Sequence, residues 1–153
     1  MTNRFRLSIA VLMLCMLHNG AVSAGEEPAG TIKVNNGNVN IERGEQKIAA
    51  VAGGAVFAAD KVVTGNDGSV GITLRDNTLL SAGHNSSLLL DKFAFDSSTH
   101  AGTIDATLKR GTLSVVSGKI AKQSPDSVRF RTPTTTLGVR GTEFIIEVGA
   151  GKD

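Results

Sequence analysis

From Thr31 onward, apolar residues recur at every second position in short runs separated by turn-forming residues. Ile32 and Val34 flank Lys33, Val39 and Ile41 flank Asn40, and Val70, Ile72 and Leu74 alternate with Gly71, Thr73 and Arg75. The alternation returns at Ile104, Ala106 and Leu108, at Val128 and Phe130, and at Phe144, Ile146 and Val148. A period of two puts successive side chains on opposite faces, so each run predicts a strand with one buried face. Between the runs stand Asn36-Gly37, Arg43-Gly44, Gly53-Gly54, Asn66-Asp67-Gly68, Asp76-Asn77, Gly83-His84-Asn85, Asp96-Ser97-Ser98, Arg110-Gly111 and Ser117-Gly118. These residue types accept the positive φ of tight turns. Turns at this frequency predict an all-β fold. After the first 24 residues the only helix-like stretch is 49–59, where Gly53-Gly54 argues against a stable helix. A Gly-Thr-aliphatic motif recurs loosely at Gly30, Gly102, Gly111 and Gly141. Its irregular spacing rules out a fixed-period array but suits a short twisted β-solenoid, with a β-sandwich as the alternative.

Residues 1–24 are patterned differently. Arg4 and Arg6 precede an uncharged apolar run from Leu7 to Leu17, and Val22 and Ala24 fit a small-residue cleavage site. This is the plan of a helical signal peptide, and the run is shorter than the roughly 20 residues that span a bilayer. The expected organisation is a signal peptide (1–24), a polar lead-in (25–29), one β domain (30–148) and a flexible tail (149–153). The cleaved product is expected to be exported, periplasmic or secreted, with no membrane span. Cys15, the single cysteine, lies inside the apolar run behind Leu14, where a lipoprotein site requires a small residue. Cleavage after Ala24 leaves no thiol, which excludes thiol catalysis and a cysteine zinc site.

Charge changes the picture in one respect. The net charge of +2 belongs to Arg4 and Arg6, so the exported part carries 14 basic and 14 acidic residues. A neutral surface has no net field for phosphate, which argues against a nucleic-acid partner. With six Phe but no Trp and no Tyr, the chain also lacks the usual stacking platforms for bases and sugars.

No constellation for catalysis, cofactor or metal binding emerges. His84 and His100 sit beside turn residues with no second ligand at metal spacing, so both read as solvated turn residues. Asp67 and Asp76 lack the ligand series of a calcium loop and read as caps of their own turns. No G-x-S-x-G elbow is present, and Gly138-Val139-Arg140-Gly141 is not followed by the Lys-Ser/Thr of a phosphate loop.

The segment 131–144 (RTPTTTLGVRGTEF) resembles the close of the FecR domain, in which a T-P step, V-R-G-T and Phe precede an apolar strand. Here Thr132, Pro133, Val139, Arg140, Gly141, Thr142 and Phe144 carry the likeness. Earlier pieces follow in order: Asp60, Val63, Thr64 and Gly65 with Ser69 and Val70, then Leu74 with Asp76, then Leu108, Gly111 and Leu113. The resemblance extends over 30–148. It implies a periplasmic, solenoid-like module of Gram-negative bacteria that binds other proteins. On inner-membrane regulators such a module helps pass a signal from a TonB-dependent outer-membrane transporter to a cytoplasmic sigma factor. This chain shows no sigma-binding segment, retained membrane helix or further receptor-reading subdomain, so it is not expected to relay a signal across the inner membrane alone.

The reading that follows is a non-catalytic, exported module for periplasmic or cell-surface protein interaction or sensing. A glycan- or cell-wall-binding module is the alternative. In the closing segment, Gly141 is expected to turn with positive φ and Arg140 to pair with a carboxylate or carbonyl. Thr134, Thr135 and Thr136 are expected on a solvent-facing edge. Phe144, Ile146 and Val148 are expected to face inward, leaving Ile145 on an open strand edge that a partner strand could complete.

Overall fold

The computed structural model describes residues 25–141 and 143–149. The signal-peptide reading of 1–24 and the tail beyond Gly149 lie outside the described residues. The strands are β1 (Gly30–Asn36), β2 (Val39–Arg43), β3 (Gln46–Ala49), β4 (Ala55–Val56), β5 (Lys61–Thr64), β6 (Ser69–Leu74), β7 (Leu79–Ala82), β8 (Ser87–Phe95), β9 (Gly102–Val116), β10 (Val128–Arg131), β11 (Thr136–Gly138) and β12 (Glu143–Val148). A five-residue helix, α1 (Lys119–Gln123), and one 3-10 turn (Pro125–Ser127) sit between β9 and β10.

The fold is all-β, a single twelve-stranded sheet curled into a half-barrel. One flank runs β4-β1-β6-β7, then the C-terminal half of β9, then β12. The other runs β3-β2-β5-β8, then the N-terminal half of β9, then β10 and β11. Among the described residues only β9 and β10 pair in parallel. A solenoid stacks successive coils in parallel, so this curled antiparallel sheet departs from the expected coil-on-coil form. Local turn chemistry gives the reason. Gly44, at φ +58, opens a two-residue turn that folds β3 straight back on β2 instead of carrying the chain around a coil.

Strand β9 joins the flanks. Ile104, Ala106 and Leu108 face the core at even positions, whereas beyond Gly111 the buried residues are Leu113 and Val115. Gly111, at φ +90, shifts the alternation by one residue, so both halves of a bent strand bury their apolar face in the same core. Arg110-Gly111, expected as a turn between strands, is therefore a kink within one. A bulge between Ile32 and Val34 acts similarly in β1. It turns Val34 outward (52% exposed) against the expectation from simple alternation, while Ile32 stays buried.

The core is one cluster drawn from both flanks, centred on Ile32, Leu74, Leu80, Leu88, Ile104, Leu108, Leu113 and Phe130. Phe144 meets Phe130 edge-on at 5.3 Å, which ties β12 to β10 across the closing end. The segment 49–59 forms no helix, and Gly53 takes φ +85 there. The helix that does form, α1, buries Ile120 against the start of β9, where a Cβ on Gly102 would lie 2.8 Å from the Ile120 side chain.

Candidate protein-interaction edge

Several of the motif residues belong to three buried polar clusters that shape the sheet, and others lead into its last edge. Asp60 is fully buried and accepts two bonds from Arg43, at 2.8 Å from Nε and 2.7 Å from a terminal nitrogen. The amide of Phe57 donates to the same carboxylate, and Arg43 lies over the Phe57 ring at 4.4 Å. The bond to Asp60 also raises the Arg43 pKa above its usual range. A bidentate, partly desolvated pair of this kind is the strong form of ion pair. It fixes the β4–β5 turn against β2.

The second cluster joins Thr64 to Gly111 through Ser86. Thr64 Oγ1 donates to the carbonyl of Gly83 at 2.6 Å and accepts from the amide of Ser86 at 2.8 Å. Ser86 Oγ in turn accepts from the amide of Thr112 at 3.0 Å and donates to its carbonyl at 3.2 Å. A Cβ on Gly111 would stand 2.2 Å from Ser86 Oγ and 2.5 Å from Ser86 Cα. The kink in β9 thus requires glycine twice over, for its φ and for the closeness of Ser86. Gly65 closes the adjoining turn, donating its amide to Asn38 and accepting from Asn85.

The third cluster is built on Asp76, also fully buried. Its carboxylate accepts from Thr78, through the amide at 3.0 Å and the hydroxyl at 2.8 Å, and from the amide of Ile120 at 3.2 Å. The Gly118 amide donates to Thr78 Oγ1 at 3.0 Å. Asp76 does cap its own turn, as expected, and it also moors α1 to the β6–β7 connection. Asp67, by contrast, is exposed and accepts from the amide of Asn38.

The remaining motif residues are placed as follows. Val70 and Leu74 face the core from β6, Leu108 and Leu113 from β9, while Ser69 and Val63 are half-exposed. Thr132 caps a turn through the amides of Thr134 and Thr135, with Pro133 exposed at its tip. Thr134, Thr135 and Thr136 are solvent-facing, as expected. Val139 is buried, Arg140 pairs with Asp126 at 3.3 Å on the surface, and Thr142 lies outside the described residues. Gly141 departs from expectation. Its φ lies outside the left-handed region, and nothing stands within 4 Å of a Cβ built on it. The corner is open to solvent and needs no glycine, because Val139 rather than Gly141 is its packed residue.

Among the described residues four strands stand at the ends of the strand order, and they differ in length. β4 has two residues, β11 three and β3 four, with Lys47 outward on β3, whereas β12 has six. Short or lysine-bearing edges resist strand addition. Among the described residues β12 pairs with β9 alone, so alternate residues turn free N–H and C=O groups away from the sheet. Phe144, Ile146 and Val148 pack inward, and Ile145 is 69% exposed, the most exposed of the large apolar side chains.

The faces beside the edges differ as well. Outside the β6–β7–β9–β12 flank, Gly71, Ser81, Ser114 and Ile145 align in one row, and Thr73, Leu79, Val116 and Glu143 in the next. Leu79 and Val116 are both exposed there. The opposite flank carries charges across its outer face. Lys61 bonds Glu42 at 2.6 Å, Arg131 bonds Asp105 at 2.7 Å, and Lys47, Lys92 and Arg129 are exposed. The Lys61 hydrogen bond, then its charge, holds Glu42 below the ordinary carboxylate range.

His84 and His100 are exposed in turns, with His100 stacked on Phe95. Among the described residues no three His, Cys, Asp or Glu side chains converge as a metal site would require, and no helix is long and apolar enough to cross a membrane. Sequence reasoning missed Arg43, Ser86 and Ile120 as the distant partners of Asp60, Thr64 and Asp76. Pairs 17 to 44 positions apart leave no local periodicity to read.

Comparison with known proteins adds one finding. A family model described as "FecR protein" matches residues 60–153, from the buried Asp60 onward, so that β1 to β4 lie outside the match. No curated protein and no solved structure matches the chain.

Proposed function

The chain belongs to the FecR protein family, and from that premise we propose that it is an exported, non-catalytic module that takes a protein partner onto the open edge of β12. The family is one of sensing and regulatory proteins. The partner meets the module in the periplasm or at the cell surface, after removal of residues 1–24. The domain proposed to do this is 30–148. One observation carries the reading: β12 is the longest of the outer strands among the described residues, and Ile145 at its centre is exposed beside the uncharged face of β6, β7 and the C-terminal half of β9. A strand added there would complete the backbone bonds of β12 and cover Ile145.

A photo-crosslinking residue placed at Ile145, with a second at Lys47 on the opposite edge as control, tests this in intact cells. A discrete protein adduct at Ile145 and none at Lys47 is expected. Adducts confined to Lys47, or material recovered only with peptidoglycan, would overturn the reading.

A further inference from the structure

We propose that the occupant of the β12 edge is an extended segment bearing a basic, an apolar and a basic residue at alternate positions. The inference rests on the edge reading and adds the chemistry of the partner. Glu143, Ile145 and Glu147 are the outward residues of β12, and all three are exposed. Among the described residues neither carboxylate has an ion-pair partner. The stretches of strand directly beside β12 carry no charge of their own, Arg110 standing one residue before that stretch of β9. β6 (SVGITL), β7 (LLSA) and the C-terminal half of β9 (GTLSVV) contain no charged residue. Glu143 and Glu147 are therefore the charges that β12 itself presents on this face, with Arg110 lining the hollow beside Glu147 and Arg140 the one beside Glu143.

A strand laid beside β12 places its own outward residues directly opposite Glu143, Ile145 and Glu147. Opposite charges stabilise such cross-strand pairs and like charges destabilise them. The complementary pattern is Lys or Arg, an apolar residue, then Lys or Arg, and it reads the same in either strand direction. The same register disfavours a second copy of this chain. Antiparallel pairing of two β12 strands about Ile145 would set Glu143 of each copy against Glu147 of the other. The two carboxylates thus select a basic strand and reject self-pairing at once.

Two synthetic strand peptides test the proposal, one with Lys-Thr-Ile-Thr-Lys at its centre and one with Glu replacing both Lys. Binding to the purified protein is read by fluorescence anisotropy at low and high salt. The Lys peptide is expected to bind about tenfold more tightly than the Glu peptide at low salt, because two favourable cross-strand pairs replace two unfavourable ones. The preference should shrink as salt rises and invert in the Glu143→Lys/Glu147→Lys variant. Equal binding of both peptides, unaffected by the charge reversal, overturns the basic-strand proposal but leaves the edge reading intact. Failure of either peptide to bind either protein overturns both. Self-association of the unaltered protein through β12 at neutral pH, abolished by Ile145→Lys, would overturn the basic-strand proposal in favour of a second copy.

Discussion

Replacing Gly111 by Ala tests how β9 comes to serve both flanks. Gly111 holds φ +90, a region where an L-residue stores about 1–3 kcal/mol of strain. The new Cβ would also lie 2.5 Å from Ser86 Cα, so main chain rather than a movable side chain must yield. Displacing Ser86 breaks its two bonds to Thr112 and disturbs its amide bond to Thr64, in a site where Ser86 has no solvent exposure. A buried polar group left unpaired costs about 1–3 kcal/mol. Together these give a loss of about 2–6 kcal/mol, a large share of the 5–15 kcal/mol typical of a folded domain. Urea denaturation followed by circular dichroism measures it. Gly111→Asn separates the two contributions. Asn tolerates positive φ but carries the same Cβ, so it should recover at most about 1 kcal/mol relative to Ala. A loss below about 1 kcal/mol for Gly111→Ala would refute the close-approach argument, since surface substitutions alone reach about half that. Full recovery by Asn would show that φ alone matters.

Three further outcomes are expected. Asp76→Ala should lower stability by about 2–4 kcal/mol, as it strands the Thr78 and Ile120 donors, and should speed hydrogen exchange at Gly118 and Ile120 more than at Ile104. Gly141→Val should leave the unfolding free energy from urea denaturation within about 0.5 kcal/mol of the unaltered protein, because the corner is open and its φ is not left-handed. Asp96, bonded by the amides of Thr99 and Ser98, titrates below its ordinary value, as does Glu42 beside Lys61. A carboxylate depressed in the folded state contributes stability above its unfolded pKa and loses it as pH falls through the folded one. The double variant Asp96→Asn/Glu42→Gln should therefore show a flatter acid limb in a plot of unfolding midpoint against pH, and an unchanged limb would contradict the assignment.

Alternation alone located half of the described strands, because a half-buried strand must place apolar residues at every second position. It located Ile104, Ala106 and Leu108, and with them Phe144, Ile146 and Val148, along with the exposed Ile145 between them. It failed where one residue shifts the register. The bulge after Ile32 and the kink at Gly111 both reverse the faces without changing composition, so Val34 looked buried and Arg110-Gly111 looked like a turn. The five residues of α1 are too few to display a helical period, and they are held by Asp76 from 44 positions away. Among the residues that carry the family likeness, Asp60, Thr64, Asp76 and Gly111 hold turns and a kink, a structural part that only the fold reveals. The charge contrast between the two outer faces depends on which distant strands become neighbours, and no local pattern announces it.

The bent strand β9 has a consequence for how the molecule comes apart. Its N-terminal half is flanked by β8 and β10, its C-terminal half by β7 and β12, so every path across the sheet passes through it. Neither flank can be released without breaking bonds to a strand that the other still holds. The two sides should therefore open as one unit, and amides in β6 and β8 should exchange with the same opening free energy, although these strands are not paired with each other. Loosening one edge by a partner's pull would then be felt on the far flank as a change in its exchange rates, with β9 acting as a shared hinge pin.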